Sequence, residues 1–152
     1  MKRRKRVSRN VPAKGRLRDM ADRLWSQAIK VDWNYRCAVC GKTGTDAHHL
    51  IPRQFQATRY DLRNGVLLCN RDHIWNHDLA PHQNAVGWIE WLEREHWDIM
   101  CWCMKNIRPQ FTGKTTAQYY CGVIRGLKQY VEESDYERIV GIRFSRWLEE
   151  NA

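Results

Sequence analysis

The sequence predicts an α+β fold: a small core of two short strands and a helix with zinc-knuckle-like cysteine elements, embedded in a mostly helical domain. Three observations predict it. Cys37-Ala38-Val39-Cys40 is followed by Gly41 and Gly44, the pattern of a knuckle that puts two thiols on one turn. A short stretch at 47–51 and the apolar run 66–68 suit strands and are bounded by Pro52 and by Asn64-Gly65. Outside this centre, apolar residues recur every three or four positions, the period of a helix.

Taken in order, residues 1–16 read as a basic arm, with Pro12 and Gly15 opposing regular structure. A helix is expected over about 17–31, where Leu17, Met20, Ala21, Leu24, Trp25 and Ala28 share a face. The knuckle runs from 34 to 46, with Gly41 and Gly44 supplying tight turns. A strand over 47–51 carries His48 and His49 and is stopped by Pro52. A loop over 53–63 leads to the Asn64-Gly65 turn signal and the strand Val66-Leu67-Leu68. From Asp72 the pattern becomes helical, which would place His73 and His77 on one face at i and i+4. Asn84 is a candidate N-cap for a helix carrying Val86, Ile89, Trp91 and Leu92. A further helix is expected over 97–107, closed by Pro109, and two more over 114–132 and 135–149. Ile124, Leu127, Tyr130 and Val131 form the apolar face of one, and Ile139, Ile142, Trp147 and Leu148 that of the other.

The expected organisation is therefore an arm over 1–16, a core with flanking helices over 17–97, and a helical extension over 98–152 packed on the core. That extension suits completion of the core, a dimer interface or a partner's docking surface. Trp88, Trp91, Trp97 and Trp102 are too frequent for a thin helix face and are expected in the core.

Charge is concentrated at one end. The chain carries +9, and residues 1–20 hold nine Lys/Arg against one acid, leaving the remainder nearly neutral. An arm such as Lys2-Arg3-Arg4-Lys5-Arg6 binds polyanions by releasing their counterions. No apolar run approaches the ~20 residues of a membrane helix, and no apolar segment follows the basic start as in a secretory signal. A cytoplasmic protein without a membrane partner is expected.

Six cysteines without a secretory signal point to metal or redox chemistry rather than a disulfide framework. Cys37, Cys40 and Cys69 could begin a structural zinc site. A second Cys-x-x-Cys would need cysteine at position 72, where the chain has Asp72. Asp72 could ligate through oxygen, His73 could ligate as Cys-x-x-x-His, or the three thiols could be packed without metal. Cys101, Cys103 and Cys121 lie in helical sequence and read as buried thiols.

Four of the six histidines fall between positions 48 and 77, in the order His48-His49, His73, His77, with Asn64 between the pairs. Histidine can both accept a proton near neutral pH and bind a transition metal. Strand alternation puts His48 and His49 on opposite faces, so one can ligate while its neighbour meets substrate. The Asn64 amide could bridge backbone groups and fix the histidine strand. His82 and His96 carry no pattern and read as structural or solvent-facing. This grouping suggests a metal-assisted hydrolytic site, and with a net charge of +9 a phosphodiester is the expected anionic substrate.

The segment from Cys37 to His77 resembles the HNH endonucleases, the ββα-metal nucleases. Their pattern is Cys-x-x-Cys, then (Asp/His)-His-(Ile/Leu)-x-Pro, then Asn four or five residues before Cys-x-x-Cys-His. Asp46-Ala47-His48-His49-Leu50-Ile51-Pro52 matches the first strand, Arg63-Asn64-Gly65-Val66-Leu67-Leu68-Cys69 the second, and His73 the last histidine. Trp75-Asn76-His77 continues much as in small phage-encoded members. The resemblance covers about residues 33–97 and departs from the pattern at Asp72. It implies His49 as general base, His48 and His73 as ligands of one divalent ion (Mg²⁺, Mn²⁺, Ni²⁺ or Zn²⁺), and His77 as a third ligand. It further implies Asn64 as the residue that sets the loop, and DNA cleaved to 5′-phosphate and 3′-hydroxyl ends. Arg53 is the first candidate for a phosphate contact, with Arg59 and Arg63 behind it. Two other readings stay open: a non-catalytic zinc-knuckle DNA-binding protein, and a nuclease acting on structured DNA or RNA.

Overall fold

Two four-residue strands and the helices on either side of them organise the molecule. The computed structural model describes residues 13–151, with side chains over 13–135. The basic run Lys2 to Arg6 lies outside the described residues, as do the side chains of Ile139, Ile142, Trp147 and Leu148.

Helix α1 (Lys14–Asp32) begins inside the stretch expected to be arm and buries Leu17, Ala21, Trp25, Ala28 and Ile29 along one stripe. Strands β1 (Asp46–His49) and β2 (Gly65–Leu68) pair antiparallel, with His48 opposite Val66 and His49 opposite Gly65. Every residue of β2 is buried. Its side chains alternate between two helical layers. Val66 and Leu68 pack with Trp88, Trp91 and Leu92 of α2 (Ala85–Glu95). Leu67 packs with Trp25, Ala28 and Ile29 of α1 and with Leu127 of α4 (Ala117–Asn151). Burying each such aliphatic side chain is worth about 1.5–3 kcal/mol, so the two layers hold a sheet too small to stand alone.

The glycines mostly differ from expectation. Gly41 does supply the knuckle's tight turn, at φ +69°. Gly44 and Gly65 serve close approach instead: a Cβ on Gly44 would fall on Leu67, and one on Gly65 on Ile29 and Trp25. Gly65 is extended (φ −132°), so Asn64-Gly65 is no hairpin turn. A single 3-10 turn (Leu62–Asn64) precedes it.

The helical stretch after Asp72 is shorter than its pattern suggested. It is a wide π-type turn over Arg71–Trp75, closed by the Asn76 N–H donating to the Arg71 carbonyl at 2.8 Å. Asn76 is extended (φ −73°, ψ 105°), and its side-chain oxygen accepts from the backbone N–H of Asp78 and Leu79. This local bonding competes with helix continuation. The side chain of Asn84 caps α2 through the Gly87 N–H, as expected. Helix α3 (Trp97–Lys105) follows.

Two other expectations are corrected. The separate helices over 114–132 and 135–149 are one continuous helix, α4, because no breaker separates them. Trp88 and Trp91 are core residues, but Trp97 at the start of α3 is 53% exposed. Cys101, Cys103 and Cys121 are half-buried rather than buried. Among the described residues, no helix is long and apolar enough to cross a membrane.

Candidate functional site

The knuckle and the start of the π-type turn bring Cys37, Cys40, Cys69 and Asp72 together, with one ligand atom of each within 4.8 Å of the others. Two thiolates bound tetrahedrally at ~2.3 Å stand about 3.8 Å apart, and a thiolate and a carboxylate oxygen about 3.5 Å. Cys40 Sγ and Cys69 Sγ are 3.8 Å apart, and Asp72 Oδ2 lies 3.4 Å from Cys37 Sγ and 3.3 Å from Cys69 Sγ. The donor set and spacing therefore fit a tetrahedral zinc ion with three sulfurs and one oxygen. Of the two fourth ligands weighed from sequence, the geometry groups Asp72 with the thiols and His73 elsewhere. Asp72 is 1% exposed. Burial works against its charge, but bonds from Cys40, Asn76 and the other thiols hold its carboxyl below the usual range. The same closeness, after partial burial, pushes the Cys40 thiol up to about 12. A bound cation reverses that preference and takes the thiols as thiolates.

A second cluster opens beside it. His73 Nε2 lies 3.2 Å from His48 Nδ1 and 3.2 Å from His82 Nε2. Ring nitrogens bound to one ion at ~2.0–2.1 Å stand about 3.3 Å apart. The nitrogen of His73 has one proton at most and cannot satisfy both neighbours as a donor. The other ring nitrogen of His73, Nδ1, is buried without a hydrogen-bond partner, and the Asp46 carboxylate stands 3.9 Å from it. A divalent ion among the three facing nitrogens would satisfy them, with Asp46 near enough to steady His73 from behind. Burial, reinforced by the facing His73 and His82, lowers His48 to about 3, and burial and His82 lower His73. Both imidazoles are thus neutral and available as ligands.

His77 is not in this group. Because the helix stops at Trp75, His77 falls out of phase with His73 and is exposed. The chain doubles back through Asn76 and Pro81, and His82 takes the third position. The available signal in the sequence was Asn76, whose side chain favours local turns over helix interiors, together with Pro81, which limits how far a helix could continue.

His49 occupies the opposite face of β1. Its ring lies flat on Trp25, with centroids 3.6 Å apart and planes 12° from parallel. Its Nε2 donates to the Arg59 carbonyl at 2.9 Å, which leaves Nδ1 as the unprotonated nitrogen. Burial lowers the His49 pKa and outweighs the opposing bond to the Arg59 carbonyl. Since β1 ends here, His48 and His49 nonetheless line one common cavity of about 520 Å³.

The loop after β1 is clasped by Asn64, which is fully buried. Its Oδ1 accepts from the Ile51 N–H at 2.7 Å, and its Nδ2 donates to the carbonyls of Ile51 and Thr58 at 3.0 and 3.1 Å. Arg59 is committed elsewhere than to a ligand. It forms a bidentate pair with Asp22 at 3.0 and 2.7 Å and donates to the Arg53 carbonyl at 2.8 Å. Burial opposes the charge of Asp22, but Arg59 and the Tyr60 hydroxyl hold its carboxyl below the usual range. This pair fixes the carbonyl that orients His49, a link invisible in the sequence. Arg63 pairs with Asp61 at 2.7 Å and lies over Trp102, whereas Arg53 is exposed beside the histidine strand.

Comparison with curated proteins and with solved structures gives no match. Residues 37–79 match the family model for HNH endonuclease, a span that holds the cysteine cluster, both strands, Asn64 and His73 and stops short of His82. Over residues 37–79 the chain is thus similar to the HNH endonucleases.

Proposed function

We propose that this protein is a metal-dependent endonuclease that hydrolyses DNA phosphodiester bonds to 5′-phosphate and 3′-hydroxyl ends. The observation that carries the reading is the meeting of His48, His73 and His82 nitrogens at one point, while His49 lines the same cavity as His48 with its own proton pinned at Nε2.

His48, His73 and His82 hold the divalent ion, and Asp46 supports His73. When bound, that ion supplies Lewis-acid stabilisation of the phosphate and of the leaving 3′ oxygen. His49 takes the proton of the attacking water at Nδ1; its lowered pKa keeps it neutral, and so able to accept, at neutral pH. Trp25 and the Arg59 carbonyl restrict the ring to one plane and one tautomer. Asn64 is a positioning residue that holds the chain leaving β1. Arg53 contacts a backbone phosphate, and the basic arm Lys2 to Arg6 adds sequence-independent DNA affinity. Arg59 and Arg63 act within the fold through Asp22 and Asp61 rather than on phosphate. Cys37, Cys40, Cys69 and Asp72 hold a structural zinc that staples the knuckle to β2. The core and its flanking helices over 17–97 carry the chemistry, and the extension over 98–152 completes the floor beneath it.

Supercoiled plasmid incubated with Mg²⁺, Mn²⁺, Ni²⁺ or Zn²⁺ should be nicked and linearised, and chelator should stop the reaction. His49→Ala should retain binding and lose cutting. Binding by the wild type without cutting in any metal would favour the non-catalytic zinc-knuckle protein.

A further inference from the structure

The cavity that ends at His48 and His49 is far more apolar than phosphodiester hydrolysis requires. Its walls include Trp88 and Met100, and its rim carries Phe55, Ile89, Met104 and Ile107, exposed by 36, 48, 47 and 69%. Four large apolar side chains around one opening mark a binding surface rather than scattered exposure. At about 520 Å³ it falls within the roughly 300–1,000 Å³ of pockets that enclose a small molecule, so a nucleoside fits.

On the other side of Pro52 lies a second hollow, of about 530 Å³, lined by Arg18, Arg53 and Arg59 together with Asp19 and Asp22. Pro52 belongs to both hollows. The histidine site thus sits at the end of an apolar hollow, across Pro52 from a polar hollow in which Arg18 and Arg59 pair with Asp19 and Asp22 and the exposed Arg53 is the cation that faces a ligand. A nucleic-acid strand has this same division, with apolar bases on one side and anionic phosphates on the other. In a paired duplex the bases stay stacked inside and cannot reach such a cavity; a base freed from its stack can.

We infer that the apolar cavity receives the base of a DNA nucleotide next to the scissile phosphate, so that the protein prefers single strands and unpaired positions to intact duplex. This rests on the nuclease reading above. The aromatic and methionine side chains hold the base by stacking and dispersion, which every base can supply, so the preference is for an unstacked base rather than for a sequence. Arg53 meets the phosphate on the other side of Pro52.

The test uses end-labelled oligodeoxynucleotides of one sequence as a single strand, a fully paired duplex, and a duplex with two mismatched positions, each with Mg²⁺ or Mn²⁺. The single strand should be cut at least about tenfold faster than the paired duplex, on the scale of one stacked base. The mismatched duplex should be cut beside its unpaired positions. Ala85→Trp, at the exposed start of α2 on the cavity wall, should bring the single-strand to duplex ratio close to one. Val86→Trp, its neighbour outside the cavity, should leave the ratio high. Equal or faster cutting of the paired duplex overturns the inference while leaving the nuclease reading intact, and so does a ratio that Ala85→Trp does not lower. Absence of metal-dependent cutting on all three substrates removes the nuclease reading, and this inference with it.

Discussion

Trp25 and His49 stack face to face, with ring centroids 3.6 Å apart, so that a core side chain of α1 forms the seat of the imidazole at the end of β1. Trp25 is 2% exposed and donates its indole N–H to the Asp61 carbonyl at 3.2 Å. Stability and the protonation of the His49 imidazole are therefore coupled. Trp25→Ala should cost about 3–5 kcal/mol of stability by urea unfolding. In wild type, burial lowers the His49 pKa, so the acid limb of the rate profile should lie below the ordinary ~6.5. Removing the Trp25 cover should move that limb upward, as a pH–rate comparison at saturating metal would record.

The third imidazole gives a discriminating pair of variants. His82→Ala should weaken divalent-ion binding by more than the about tenfold that loss of an outer-shell partner costs, measured by calorimetric titration with Ni²⁺ or Zn²⁺. His77→Ala should leave the titration unchanged, since His77 lies outside the cluster. The reverse result would make His77 the third ligand in place of His82.

Zinc bound at the cysteine cluster should copurify with the protein and hold its stability. Chelation should lower the melting temperature, and Cys37→Ser or Asp72→Ala should reduce the zinc retained per chain by elemental analysis. Asp72→Cys should keep the metal, because a fourth thiolate suits the same tetrahedron. Full zinc in Asp72→Ala would remove the carboxylate from the ligand set.

Asn64 satisfies three backbone groups at once, and its loss strands them. Asn64→Ala should destabilise the fold by about 3 kcal/mol, since each buried unsatisfied group costs about 1–3 kcal/mol. Urea unfolding checks the magnitude. The cleavage rate should fall further than stability alone explains, because the chain leaving the histidine strand loses its clasp.

Acid should destabilise the metal-free protein early. His48, lowered to about 3, and His73 and His49, also lowered, stay neutral in the folded state. Above ~6.5 both states are neutral and these groups contribute nothing to the pH dependence. As pH falls below that value the unfolded chain takes up protons that the folded chain refuses. Stability then declines by at most about 1.4 kcal/mol per pH unit for each histidine until the folded pKa is reached. Urea midpoints at pH 7 and pH 5 with chelator present give the slope; a flat profile would contradict the burial of the cluster.

What was legible in the sequence was whatever depends on short spacing. Cys37-x-x-Cys40, the two strands and the bridging amide of Asn64 are local patterns, and the structure contains each of them. The place of His77 was misread because helical periodicity was extended past Asn76, whose side chain bonds to the following backbone and ends the turn. His82 had no pattern because a return loop, not a period, brings it to His73. The seat of His49 and the Asp22–Arg59 brace join residues 24 and 37 positions apart, and nothing in residue spacing marks such pairs. Gly65 looked like half of a turn and is instead the space that lets α1 lie against β2.

Leu127 of α4 shares a cluster with Trp25, Ile29 and Leu67. The platform beneath His49 is therefore built from segments about a hundred residues apart. During synthesis, the histidines, Asn64 and the cysteines all leave the ribosome well before Leu127 does. The seat of the His49 ring is therefore complete only once α4 has emerged and docked.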